Sequence, residues 1–260
     1  MKIIHADLPS DVKDNVVKIF PLSDVHIEEK ECDYKALLKW REHVLNEPNH
    51  YVILNGDLIN LATRKSVSDV YGSTSSPDKA IDRIVEFLTP IKDRILAMTT
   101  GNHESRGYKE VGVDISRVIA KSLGIEDKYA CEAVTLFISF GKSQNRDSRK
   151  QIVSLYVLHG MGGGGKKVGS KLNSLEDLAN IIDVDCYVVG HTHLPATFRK
   201  QYIRTNLRNR KLMFCEKVFI NSNAWLGYGG YGQMFGYAPS SIKYPILTVK
   251  GFDKTMEVVL

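Results

Sequence analysis

The sequence predicts an α/β fold in which a two-sheet β-sandwich is flanked by α-helices. Short runs rich in Val, Ile, Leu and Tyr recur and end abruptly at polar residues or glycine, segments of helical spacing separate the early runs, and the last third returns to strand-like runs with few helical signals. With 260 residues and 43% hydrophobic content the chain can bury a substantial core. No internal repeat or linker divides it, so 1–260 reads as one domain.

The apolar runs come first. VVKIFPLSD (16–24) leads to Asp24, YVILNGD (51–57) to Asp57, and RILAMTTGN (94–102) to Asn102, while IVSLYVLHG leads to His159 and VDCYVVGH to His191. They are too short for ordinary helices and fit buried strands. Between them, 32–47 places Leu37, Leu38, Arg41, Val44 and Leu45 at helical spacing. Residues 76–91 open with a serine cap and a proline at the first helical position. Residues 114–124 end at a glycine C-cap, and 174–182 start at a Ser174 cap with Asp177 three residues on. Alternation of this kind puts helices over sheets and function at the strands' carboxyl ends. AVTLFISF and QIVSLYVL then form two strands around a polar loop at 141–151, and KVFINSNAW, YPILTVKGF and TMEVVL read as late strands, which implies a second sheet packed against the first. Rim insertions are expected at 62–76 and 141–151.

The four cysteines, Cys32, Cys131, Cys186 and Cys215, are far apart and form no CxxC pair, so neither a zinc knuckle nor a disulfide framework is indicated. Reduced thiols fit a cytoplasmic protein. MKIIHADLPSDVK lacks the apolar core of a secretory signal, and no run approaches the roughly 18 apolar residues of a membrane span. A formal charge of +5 attracts anionic substrates yet is modest for a dedicated nucleic-acid binder. The densest basic stretch is RKQYIRTNLRNRK (199–211), which reads either as a solvated hairpin or as a surface that touches a polyanion.

The residues just past the apolar runs carry the chemistry: Asp24 and His26 from DVH, Asp57 from GD, Asn102 and His103 from GNHE, His159 from LHG, and His191 with His193 from GHTH. Imidazole, carboxylate and a carboxamide oxygen are ligands for zinc, iron, manganese or nickel. The i, i+2 spacing of DVH and HTH lets each pair converge on one ion if the backbone curls. Glycines before Asp57, Asn102 and His191 allow close backbone approach or positive φ.

In this order the motifs resemble those of the calcineurin-like metallophosphoesterase superfamily, from about residue 18 to residue 225. The resemblance implies a binuclear centre at the sheet edge: Asp24, His26 and His193 on one divalent ion, Asn102, His159 and His191 on the other, Asp57 between them, and His103 outside both. Manganese is the leading expectation for both ions, with iron, zinc and nickel as alternatives. Two such ions bring about +4 of charge, of which Asp24 and Asp57 offset about half, leaving a positive, water-bearing centre suited to phosphate oxygens. The implied reaction is hydrolysis of a phosphate ester by metal-activated hydroxide, with His103 protonating the leaving group.

Substrate signals are weaker. GNHESR resembles the protein-phosphatase form and offers Arg106 to phosphate, but GDLINLA has Asn60 and Leu61 where those enzymes carry aspartate and arginine in GDxxDRG. HGMGGGGKKVG lacks the spacing of a nucleotide-binding P-loop, although Lys166 and Lys167 can reach a phosphodiester. WLGYGGYGQMFGYAP interleaves Trp225, Tyr228, Tyr231, Phe235 and Tyr237 with glycine, as a base-stacking platform or as ordinary packing. FINSN sits where phosphodiesterase and nuclease branches often have NPGS. The expected function is a metal-dependent phosphodiesterase on DNA, RNA or a nucleotide, with no membrane partner. A phosphomonoesterase and a non-catalytic binding module on the same scaffold are the alternatives.

Overall fold

Two sets of strands with alternating burial meet face to face. In the first sheet β2 (Val16–Leu22), β3 (His50–Asn55), β4 (Ile95–Thr99) and β5 (Tyr129–Ala130) run parallel, and β11 (Ile246–Lys250) and β12 (Met256–Val259) extend the β2 edge antiparallel. The second sheet has the order β1 (Lys2–Asp7), β6 (Ala133–Phe140), β7 (Gln151–Leu158), β8 (Cys186–Val189), β10 (Lys211–Asn221) and β9 (Ala196–Asn206). Its β7, β8 and β10 are parallel, and β9 is the antiparallel outer edge. This computed structural model describes residues 1–63, 66, 72–144, 149–160, 167–229, 233, 236, 239 and 241–260.

The period of two along each strand divides the side chains between layers. Val17, Ile19 and Ile53 point between the sheets and meet Leu136, Leu155, Val188 and Ile220 of the second sheet. Phe20, Leu22, Val52 and Leu54 point the other way, onto α1 (Tyr34–Leu45), α2 (Pro77–Leu88) and α4 (Ile115–Leu123), where Leu37, Trp40, Ile84, Phe87 and Ile119 are buried. Burial of each such side chain contributes about 1.5–3 kcal/mol. On the far side, α5 (Val168–Asp177) lays Leu175 against Tyr187 and Phe219 of the second sheet. Among the described residues no helix is long and apolar enough to cross a membrane.

Caps explain the helix limits. Asp33 accepts from the Ala36 N–H at 2.9 Å, Asp114 from the Arg117 N–H at 3.0 Å, and Gly124 closes α4 in the left-handed region at φ 72°. Pro77 opens α2 as expected. The cap expected at Ser174 is wrong: α5 begins at Val168, and Ser174 lies inside it, donating its hydroxyl to the Ser170 carbonyl at 3.2 Å. A serine within a helix finds that acceptor one turn back, so its cap signature does not force a start. The expected rim segments 62–76 and 141–151, the glycine run with Lys166, and Tyr231, Phe235 and Tyr237 lie wholly or partly outside the described residues.

Candidate metal centre

Parallel strands in both sheets deliver the polar residues to one end of the sandwich. Past β2 come Ser23 and Asp24, past β3 Gly56 and Asp57, past β4 Gly101, Asn102 and His103, past β7 His159, and past β8 Gly190, His191 and His193. The backbone curls where it leaves the strands. Asp24, His26, Asp57, His191 and His193 all hold left-handed φ, between 45° and 67°. Each such residue costs on the order of 1–3 kcal/mol and persists only where surrounding contacts over-determine it. The glycines serve close approach: a Cβ on Gly101 would lie 2.0 Å from Asp57 Oδ1, and one on Gly190 2.8 Å from Asp24 Oδ2.

Two adjacent clusters result. Asp24, His26 and His193 bring their ligand atoms together, with His193 Nε2 3.1 Å from Asp24 Oδ1. Asp57, His159 and His191 form the second, with His159 Nε2 3.0 Å from Asp57 Oδ2. Asn102 joins it, its Oδ1 lying 2.8 Å from His191 Nδ1 and 3.0 Å from His159 Nε2. A third grouping of His26, Asp57 and His103 overlaps both, so Asp57 stands between the clusters. His26 is buried, and among the described residues neither of its ring nitrogens has a hydrogen-bond partner, while Asp57 Oδ2 faces His159 Nε2 alone at close range. Unpartnered buried groups of this kind are costly. A buried imidazole left bare beside imidazole, carboxylate and carboxamide ligand atoms fits divalent cations.

The electrostatics of the ion-free chain are those of ligands held in reserve. Burial opposes ionisation of Asp24 and Asp57, yet the imidazoles outweigh it: His193 holds Asp24 at about 2, and His159 with His103 holds Asp57 well below the usual carboxylate range. Burial also disfavours protonated His159, but the Asp57 carboxylate beside it lifts that imidazole to about 10. At His26 burial, helped by the neighbouring His103 and His193, outweighs the pull of Asp57 and Asp24 and drives it well below the ordinary histidine value.

Supporting groups that the motif pattern left unassigned are now visible. Glu104, buried, accepts four backbone N–H groups: Oε2 from Asp57 at 3.0 Å and Gly101 at 3.1 Å, Oε1 from Leu58 at 2.5 Å and Ile59 at 3.2 Å. It ties the loop after β3 to the loop after β4. The Asn55 carbonyl lies 2.7 Å from His159 Nδ1, turning Nε2 toward Asp57. Ser23 donates to Asp24 Oδ2 at 2.6 Å, and the His191 N–H to the same oxygen at 2.9 Å. Ligand-orienting contacts of this kind fix rings and carboxylates in position.

His103 sits beside this set. Its N–H donates to Asp57 Oδ1 at 2.9 Å, its Nδ1 lies 2.6 Å from Asn60 Oδ1, and its Nε2 is 3.7 Å from Asp57 Oδ2. Arg106 reaches the same corner, donating to the Asn60 carbonyl at 3.1 Å and lying 3.3 Å from His103 Nε2. Lys167 is exposed at the start of α5. Trp225 is buried, with Trp40 at 6.0 Å and Tyr244 at 5.6 Å between ring centroids, so it packs the core and is no base platform. Only Tyr228 of that segment's described aromatic rings is exposed.

Fold and clusters together are those of the metallophosphoesterase fold, and the sequence agrees: residues 17–195 match the calcineurin-like phosphoesterase family. The chain belongs to that family. No curated protein matches it. Similar solved structures include Vacuolar Protein Sorting 29 from Cryptosporidium parvum, at 14% identity and TM-score 0.43, covering 94% of this chain and 96% of that one. A metallophosphoesterase from Sphaerobacter thermophilus is 12% identical at TM-score 0.43, covering 90% and 84%. The nuclease MPE of Pseudomonas putida is 12% identical at TM-score 0.37, covering 93% and 87%.

Proposed function

We propose that this protein hydrolyses phosphodiesters, in nucleic acid or a nucleotide, with two divalent cations held by Asp24, His26 and His193 on one side and Asn102, His159 and His191 on the other, Asp57 serving both. The observation that carries this reading is the pair of clusters with Asp57 between them and both ring nitrogens of buried His26 left without a hydrogen bond. Bound ions supply charge neutralisation at phosphoryl oxygens and an acidified water. Manganese is the first ion to try, then iron, zinc and nickel.

The chain's own residues set the geometry of the reaction. Glu104 and Gly101 fix where Asp57 stands. Asn60 holds His103 by Nδ1, so the ring presents Nε2 to the centre, where it can give a proton to a departing oxygen. Arg106 is anchored to the Asn60 carbonyl, and it is the cation that the described residues bring to this corner. A dianionic monoester calls for more cationic compensation than one anchored guanidinium, which favours the diester.

Initial rates on bis-p-nitrophenyl phosphate and p-nitrophenyl phosphate, with manganese restored after chelation, test the reading. Faster diester cleavage that disappears in Asp57→Ala supports it. Preference for the monoester replaces it with a phosphomonoesterase, and absence of turnover with manganese, iron, zinc and nickel replaces it with a binding module on the same scaffold.

A further inference from the structure

The hairpin of β9 and β10 is much longer than the sheet it belongs to. Within β10 only Val218–Asn221 pair with β8, so from Lys217 to Lys211 β10 has β9 as its sole strand neighbour. Seven residue pairs at about 3.3 Å each make a two-stranded ribbon roughly 23 Å long, projecting from the sandwich at the end opposite the metal centre.

Its base is braced. Buried Lys217 reaches Asp183 at 2.5 Å and the Tyr187 hydroxyl at 2.9 Å, and stands over the rings of Tyr187 and Tyr202. Lys200 pairs with Glu176, Arg204 with Asp183, and Arg199 with Glu216. The outer end is different in kind. Arg208, Arg210 and Lys211 have no carboxylate partner among the described residues, and beside them stand Leu207 at 86% exposure, Phe214 at 70%, and Ile203 and Leu212 at 63% each. Phe214 pairs across the ribbon with Ile203, and Leu212 with Thr205, so these apolar side chains share one face.

Three free cations and an apolar tip on a narrow, braced ribbon select a partner. A second copy would set like charges against each other. A single strand would need a row of stacking rings, and the outer ribbon offers only Phe214. The grooves of B-form DNA admit a two-stranded ribbon, its phosphates match the cations, and a leading leucine is the kind of wedge that groove-binding proteins place between base steps. The deep, narrow major groove of A-form RNA does not admit such an element.

We infer that the β9–β10 hairpin is a duplex-DNA-binding arm, with Arg208, Arg210 and Lys211 on the phosphates and Leu207 in the groove. This goes beyond the phosphodiesterase reading, since the arm stands at the end opposite the metal centre, and it rests on that reading for the biological substrate. The test is fluorescence anisotropy of a labelled 30-base-pair DNA duplex in EDTA, so that binding is measured without hydrolysis. The full chain is compared with the Arg208→Gln/Arg210→Gln/Lys211→Gln variant and with Leu207→Ser, whose positions are exposed and outside the core. Loss of three phosphate contacts lowers the slope of log affinity against log salt by about 2.7, and the affinity at about 0.1 M salt by roughly two to three decades. Leu207→Ser weakens binding without changing the slope. An unchanged slope and affinity in the triple variant overturns the inference, as does tighter binding of the single strand, or affinity for phosphatidylserine vesicles with none for DNA. Diester hydrolysis without duplex binding overturns the arm alone, and arm-dependent binding without hydrolysis overturns the phosphodiesterase reading alone.

Discussion

Replacing Glu104 by glutamine removes one acceptor oxygen, which serves two backbone N–H groups, and almost no volume. In the native site each carboxylate oxygen accepts two backbone N–H groups, from Leu58 and Ile59 at Oε1 and from Asp57 and Gly101 at Oε2. A carboxamide keeps one oxygen, so whichever way it turns, two buried N–H groups face an NH2 donor. Each unsatisfied buried donor costs about 1–3 kcal/mol, giving about 2–6 kcal/mol for the pair. At about 2–4 °C per kcal/mol for a chain of this size, the melting temperature falls by roughly 5–20 °C. Burial and the Asp57 charge push Glu104 itself up to about 8, whereas two N–H donors on each oxygen use all its lone pairs, so the four-bond arrangement belongs to the ionised carboxylate. Urea and thermal unfolding of chelated wild type and Glu104→Gln measure the effect free of bound ions. A difference under about 0.5 kcal/mol would refute the assignment of Glu104 as the tie between the two loops.

Other predictions follow from the same geometry. Gly101→Ala puts a methyl 2.0 Å from Asp57 Oδ1, so Asp57 must shift, and diester turnover falls by roughly a hundredfold, read as kcat. His103→Ala keeps ion binding, measured by calorimetry, and loses roughly 10²–10⁴ in rate, most for leaving groups of high pKa; an equal loss across leaving groups would exclude the acid role. Because His159 stays protonated up to about 10 in the ion-free chain and must be neutral to ligate, ion binding releases a proton, and affinity rises with pH by about tenfold per unit between about pH 6 and 9. Calorimetry in buffers of different ionisation enthalpy checks that sign; flat affinity would contradict it.

The centre was legible in sequence because each of its members follows an apolar run that can only be a buried strand, and parallel strands carry their ends to one edge. Asp24, Asp57, Asn102, His159, His191 and His193 all stand where that reasoning puts them. Glycine before Asp57 likewise reads through to φ 79° at Gly56. What stayed hidden depends on tertiary contact. Nothing in GNHES says that Glu104 folds back under Asp57, since its four partners lie in two loops. Asn60, seen in sequence as a departure from the phosphatase pattern, proves to be the group that orients His103. The strand β1 and helix α3 (Ser105–Val111) escaped notice because KIIHAD alternates weakly at a sheet edge and SRGYKEV is short and carries a glycine. The 199–211 stretch, which in sequence reads either as a solvated hairpin or rim segment or as a surface that touches a polyanion, lies in the β9–β10 hairpin, and only the ion pairs to Glu176, Asp183 and Glu216 separate its braced cations from its free ones.

The central claim is that two clusters sharing Asp57 hold two ions that the chemistry needs. Chelated protein titrated with manganese while bis-p-nitrophenyl phosphate hydrolysis is followed tests it most directly. The rate should climb until about two equivalents are bound and stay at background throughout in Asp57→Ala. Full turnover by the chelated protein, or an Asp57→Ala titration that matches wild type, would contradict it.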